Sequence, residues 1–140
     1  MPRLWGEPMV EWRPFGRIHF GMNGMTDILQ DRDGGIAIVT PTGRLDSLAA
    51  PKLQSALAAL ETAGERRLVI DLGRVDYISS AGLSVLFTLA KRLRENGGAL
   101  ALCGLGDHVR RVFELAGYIP HFTVTATRPE ALAHARGDQG

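Results

Sequence analysis

The stretch Leu68–Phe87, "LVIDLGRVDYISSAGLSVLF", decides the fold class. Its first part, seen in "RRLVIDL", is a short continuous apolar run, the pattern of a strand buried on both faces. Its last part opens a helix, in which Leu83, Leu86, Phe87, Ala90 and Leu93 follow one another at the spacing of an amphipathic stripe. Lys91, Arg92 and Arg94 sit near the end of that helix, where cations suit its dipole. A strand leading into a helix is the unit of layered α/β structure. Two adjacent serines, Ser79 and Ser80, stand at the junction. Either both serve the helix start, or one is a place where the protein is modified.

Working outward, the same alternation continues on both sides. Upstream, "MTDILQ" predicts an edge strand, "RDGG" a turn on Gly34 and Gly35, and "IAIVTPTG" a strand rich in β-branched residues, together a hairpin. "DSLAAPKLQSALAALETAG" predicts the first helix, with Leu53, Leu57 and Leu60 at helical spacing, a proline near the start and Gly64 at the end. Downstream, "NGG" stops the second helix and "ALALC" is the next strand. "HVRRVFELAG" gives a third helix with Val109, Val112, Phe113 and Ala116 on one stripe. "HFTVTAT" is a last strand, and Thr127 with Glu130 forms the T-x-x-E signature of a capping box before a fourth helix. The expectation is one α/β domain over residues 25–136, a mixed central sheet of four to five strands covered by about four helices.

Residues 1–24 mix both tryptophans with prolines and glycines and show no regular period. They are expected to be an N-terminal extension, either disordered or a mis-called start with Met22 or Met25 as the initiator. The alternative is a segment that packs through Trp5, Trp12, Phe15 and Phe20. Residues 137–140 form a short C-terminal tail.

Composition narrows the function. A chain of 140 residues with 45% hydrophobic content suits one domain with a real core. Sixteen basic and fifteen acidic side chains leave a net charge of +1, which gives no strong field to attract nucleic acid or an anionic membrane. The single Cys103 cannot form an internal disulfide, no apolar run reaches the roughly 20 residues of a membrane span, and the start lacks the apolar region of a secretory signal. These features point to the cytoplasm, with no membrane span and no direct nucleic-acid contact.

Most motifs that hint at catalysis dissolve on inspection. "SSAGLS" resembles a nucleophile elbow, but Ile78 stands where G-x-S-x-G needs glycine. "GLGDHV" has Val109 in place of the third glycine of a dinucleotide fingerprint. His19, His108, His121 and His134 lack metal-ligand spacing, and Cys103 ends a core strand as a small apolar residue. No catalytic residue, metal site or cofactor is expected, and the protein is not expected to be an enzyme.

The two serines remain. One hydroxyl is accounted for by an N-cap, which contributes about 1 kcal/mol. Ser80 precedes small Ala81 and Gly82, so a phosphate there would meet free N–H donors at the positive end of the helix and add nearly two negative charges to the surface.

The series "TGRLDS", "LVIDLGRVDYISSAGLSVLF" and "GGALALCGLGDHVRRVFELAGY" resembles the STAS-domain family of anti-sigma factor antagonists, from about Met25 to Ala135. The resemblance implies a small α/β domain whose unphosphorylated form binds an anti-sigma factor that is also a serine kinase, releasing the sigma factor. Phosphorylation by that kinase ends the interaction, and a PP2C-type phosphatase restores it. The family's acceptor serine lies two residues before the Gly-Leu pair of the second helix, here Gly82-Leu83, which makes it Ser80. Ser79 occupies a position where the best-known members carry an acidic residue, and is the alternative acceptor. The family's other acidic position is matched by Asp46, whose competing reading is a helix N-cap with Ser47 as rival. Charge added at Ser80 acts only over a short screened distance, so the partner surface is expected to comprise Arg44, Asp46, Ser47, Gly82 and Leu83. Leu83 also fits the core. An alternative function is a non-enzymatic STAS subunit of a membrane lipid transporter or other regulatory complex, in which the serine is not modified.

Overall fold

The computed structural model describes residues 18–20 and 28–137. Its centre is Ile36–Pro41 (β3), buried along its whole length as its β-branched run demands. On one side β3 pairs antiparallel with Ile28–Asp33 (β2) through the expected turn at Gly34, whose φ of 65° suits glycine. On the other side it runs parallel to Arg67–Asp71 (β5), followed by Ala99–Cys103 (β7) and Thr123–Thr125 (β8), all parallel. The mixed sheet expected from the alternation is therefore present.

Three details differ from the sequence expectation. Ile18–Phe20 (β1) pairs antiparallel with β2, so the sheet gains an outer strand from the segment taken as an extension, and β2 is not the edge. The rest of residues 1–24, with Trp5, Trp12 and Phe15 and the side chain of Phe20, lies outside the described residues, as do residues 138–140. The run "IAIVTPTG" is not one strand. It breaks at Thr42, and Gly43–Leu45 (β4) leaves the main sheet to pair in parallel with Val75–Ile78 (β6) in a separate two-stranded ribbon. Gly43 makes that turn possible at φ 90°. Finally, "HFTVTAT" contributes only its central three residues as β8, because Ile119–His121 closes into a 3-10 turn first.

The helices divide between the two faces of the sheet. Ala50–Thr62 (α1), Ser80–Glu95 (α2) and Asp107–Leu115 (α3) close over Ile28, Val39, Leu68, Ile70 and Leu102. Arg128–Ala135 (α4) closes the opposite face with Ala131, Leu132 and Ala135 on Ile36, Ile38, Val69, Ala101 and Cys103. The strict alternation between the two sets is the two-residue period of strand side chains. α1 has no side-chain cap, so its stability rests on Leu53, Leu57 and Leu60, each contributing about 1.5–3 kcal/mol on burial. α4 starts differently: Thr127 and Glu130 form the predicted capping box, and Arg128 in its first turn reaches the Asp71 carboxylate at 2.9 Å. Cys103 lies beneath that pair. Burial, then the Asp71 carboxylate, push its thiol up to about 11 against the opposing effect of Arg128, so it stays neutral and unreactive.

Candidate interaction site at the start of the second helix

The β4–β6 ribbon aims two loops at one place. In its register Arg44 faces Tyr77 and Leu45 faces Ile78. The chain then continues to Asp46 on one side and to Ser79 and Ser80 on the other. The two ends are tied together at Leu45, whose carbonyl accepts from the Ser79 amide at 2.9 Å and from the Ser79 hydroxyl at 3.1 Å. The same Ser79 oxygen accepts from the Gly82 amide at 3.2 Å, which makes Ser79 the N-cap of α2. Its hydroxyl is therefore used twice.

Ser80 is the first residue of α2, is exposed, and makes no side-chain hydrogen bond among the described residues. The opening amides of a helix have no intrahelical partner. Ser79 satisfies that of Gly82, and no acidic side chain lies in the first turn of α2. Within α2 itself the positive helix end carries no countercharge beside the Ser80 hydroxyl. Such an end accommodates an added anion without disturbing the cap.

The partner residues named from the sequence separate into two groups. Arg44, Asp46 and Ser47 lie on the surface next to the start of α2. Gly82 and Leu83 do not. Leu83 is 3% exposed and belongs to the main core. Gly82 is buried because a Cβ there would approach the Leu45 carbonyl oxygen to 2.9 Å and the Ile78 side chain to 3.0 Å. It is a glycine of close approach, with no side chain to offer a partner.

Asp46 holds the turn that leads into α1: its Oδ1 accepts from the Leu48 and Ala49 amides at 3.1 and 3.0 Å and its carbonyl from the Ala50 amide at 2.9 Å, while Ala49, immediately before α1, offers no side-chain cap. Ser47 is exposed and does not cap either. The turn raises Leu48, two residues from Asp46, to 75% exposure. Arg44 is spread over the Tyr77 ring at 4.4 Å, and Tyr77 stacks on His108 of α3 at 5.9 Å. This row fixes the flank of the site, and only the pairing of β4 with β6 brings it together.

Among the described residues there is no group of three metal-binding side chains and no helix long and apolar enough to cross a membrane. Residues 28–131 match the family model of the STAS domain. The chain belongs to the STAS-domain family of anti-sigma factor antagonists. It is 46% identical over 106 residues to the protein named "Putative anti-sigma factor antagonist BtrV" of Bordetella bronchiseptica, a match spanning 76% of this chain and 91% of that one. It is also 35% identical over 89 residues to the anti-sigma-B factor antagonist of Listeria monocytogenes, spanning 64% of this chain and 78% of the relative. The crystal structure of an anti-sigma factor antagonist from Mycobacterium paratuberculosis superimposes with a TM-score of 0.74 at 27% identity, covering 84% of this chain and 99% of that one. In this STAS domain the capping serine, Ser79, and the exposed serine, Ser80, are thus separate in role.

Proposed function

We propose that the protein is an anti-sigma factor antagonist that works as a substrate and not as a catalyst. Unphosphorylated, it binds an anti-sigma factor serine kinase through the start of α2 and the Arg44–Leu48 turn, and the sigma factor is released. The kinase transfers the γ-phosphoryl group of ATP to the Ser80 oxygen. An O–P bond forms there, the bond to the ADP leaving group breaks, and the hydroxyl proton passes to the kinase base. A PP2C-type phosphatase reverses the modification by hydrolysis.

The observation that carries the choice of Ser80 is the division of labour between the two serines. The Ser79 hydroxyl is held by Leu45 and Gly82, whereas the exposed Ser80 hydroxyl has no such tie. A phosphate on Ser80 adds close to two negative charges next to the Leu45–Ser79 tie, where the Asp46 turn and the start of α2 meet. The open helix end tolerates that charge, so the fold survives while the field presented to the partner changes sign or deepens.

The test is phosphorylation by the cognate kinase followed by site mapping and binding measurements. Phosphate is expected on Ser80 in the wild type and in Ser79→Ala, and absent in Ser80→Ala, which remains bound to the kinase in the presence of ATP. Phosphate on Ser79, or equal kinase affinity before and after modification, refutes the proposal.

A further inference from the structure

The far end of α2 borders a second site. β8 pairs only with Ala101–Cys103, so Ala99 and Leu100 at the start of β7 lie beyond its cover. Beside them is a pocket of about 290 Å³, close to the lower size of small-molecule sites. Arg94 reaches it from α2, His134 from α4, and Pro120, His121 and Phe122 from the segment around the 3-10 turn.

Two observations define its chemistry. The first is charge: the ionisable lining residues are Arg94, His121 and His134, and none of the lining residues is acidic. Arg94 has no carboxylate partner among the described residues, unlike Arg32, Arg92 and Arg128, which are paired with Glu65, Glu61 and Asp71. The second is shape. Leu100, Pro120 and Phe122 form an apolar wall, and the Phe122 ring is held edge-on by Phe113 and Phe87, with centroids at 5.5 and 6.4 Å. His121 is held in turn against Phe87 at 5.7 Å. The wall is therefore set before any ligand arrives.

We infer that this pocket binds a small organic anion, with a flat apolar body against Phe122 and Pro120 and a carboxylate or phosphate on Arg94 and the two imidazoles. The planar guanidinium supplies two parallel donors to such a head group, and the apolar wall adds selectivity for the body over the bare ion. Arg94 lies on the same helix as Ser80 but about 21 Å further along it, at 1.5 Å per residue, so the site is separate from the interaction surface.

The test uses phenyl phosphate, with phenol and inorganic phosphate as half-ligands, titrated into the ¹⁵N-labelled full chain. Saturable amide shifts are expected at Leu100, His121, Phe122 and His134, with those around Ser80 unmoved. Phenol, which lacks the anionic head group, and the surface variant Arg94→Gln should bind about tenfold more weakly, the loss of one charge-assisted contact, and inorganic phosphate should bind about tenfold more weakly through the loss of the apolar body. His134→Gln, also on the surface, provides a second variant with an expected loss of a few fold. Absence of saturable shifts overturns the inference, as does unchanged affinity in both folded variants or shifts centred on other arginines such as Arg110 and Arg111.

Discussion

Replacing each of the two serines in turn by alanine separates their roles on stability alone, without any partner. Ser79→Ala removes the N-cap bond to the Gly82 amide, which contributes about 1 kcal/mol. It also removes the hydroxyl's bond to the Leu45 carbonyl, but that oxygen keeps the Ser79 amide, so this loss is at the lower end, about 0.5–1 kcal/mol. The sum is about 1.5–2 kcal/mol, or roughly 5–7 °C in Tm for a domain of this size. Ser80→Ala removes no bond and places a good helix former in the first turn, so its effect should stay within about 0.5 kcal/mol. Ser79→Asp provides a control: the carboxylate still accepts from Gly82 but cannot donate to Leu45, and should recover most of the cap. Thermal unfolding followed by circular dichroism, with urea titration as a check, measures all three. A Tm loss for Ser80→Ala equal to that of Ser79→Ala, or no loss for Ser79→Ala, would refute this assignment of the cap.

Gly82→Ala pits about 1 kcal/mol of helix propensity against a Cβ 2.9 Å from the Leu45 oxygen; overpacking of about 1–3 kcal/mol should win, and a net gain in a urea titration would contradict the close approach. The Cys103 thiol is held neutral in the folded chain up to about 11 against a reference of 9.0, so the folded state retains a proton that the unfolded state loses. Its contribution to stability is accordingly full below pH 9 and declines between 9.0 and about 11; Cys103→Ala should lack that part of the decline, and parallel curves for the two proteins would count against it. Deleting residues 1–24 removes β1 and leaves β2 as the sheet edge, so a loss of about 1–2 kcal/mol is expected, with faster hydrogen exchange at the β2 amides facing β1; unchanged exchange would show that the strand contributes nothing.

The layered α/β class was legible in the chain because its signals are local. The buried run of β5, the leucine stripes of α1 and α2, the turn glycines and the Thr127–Glu130 box each act within a few residues, and each appears where the pattern puts it. The match of the serine motif to a family was legible for the same reason. The tertiary structure decided the rest. β4 and β6 are too short to announce themselves, and they exist because they pair with each other across the intervening helix α1 and strand β5. That pairing makes Leu45 the common acceptor for Ser79, leaves Ser80 in solvent, sets the turn that Asp46 holds at the entry to α1, and exposes Leu48. Leu83 and Gly82 show the limit most plainly. A helical stripe marks which side of a helix is apolar, but whether its first residue reaches solvent depends on what packs over the helix end, and here Leu45 and Ile78 close over it. Local propensity acts along the chain, whereas exposure and hydrogen-bond partnership at this site come from contacts about 34 residues apart in sequence, between Leu45 and Ser79.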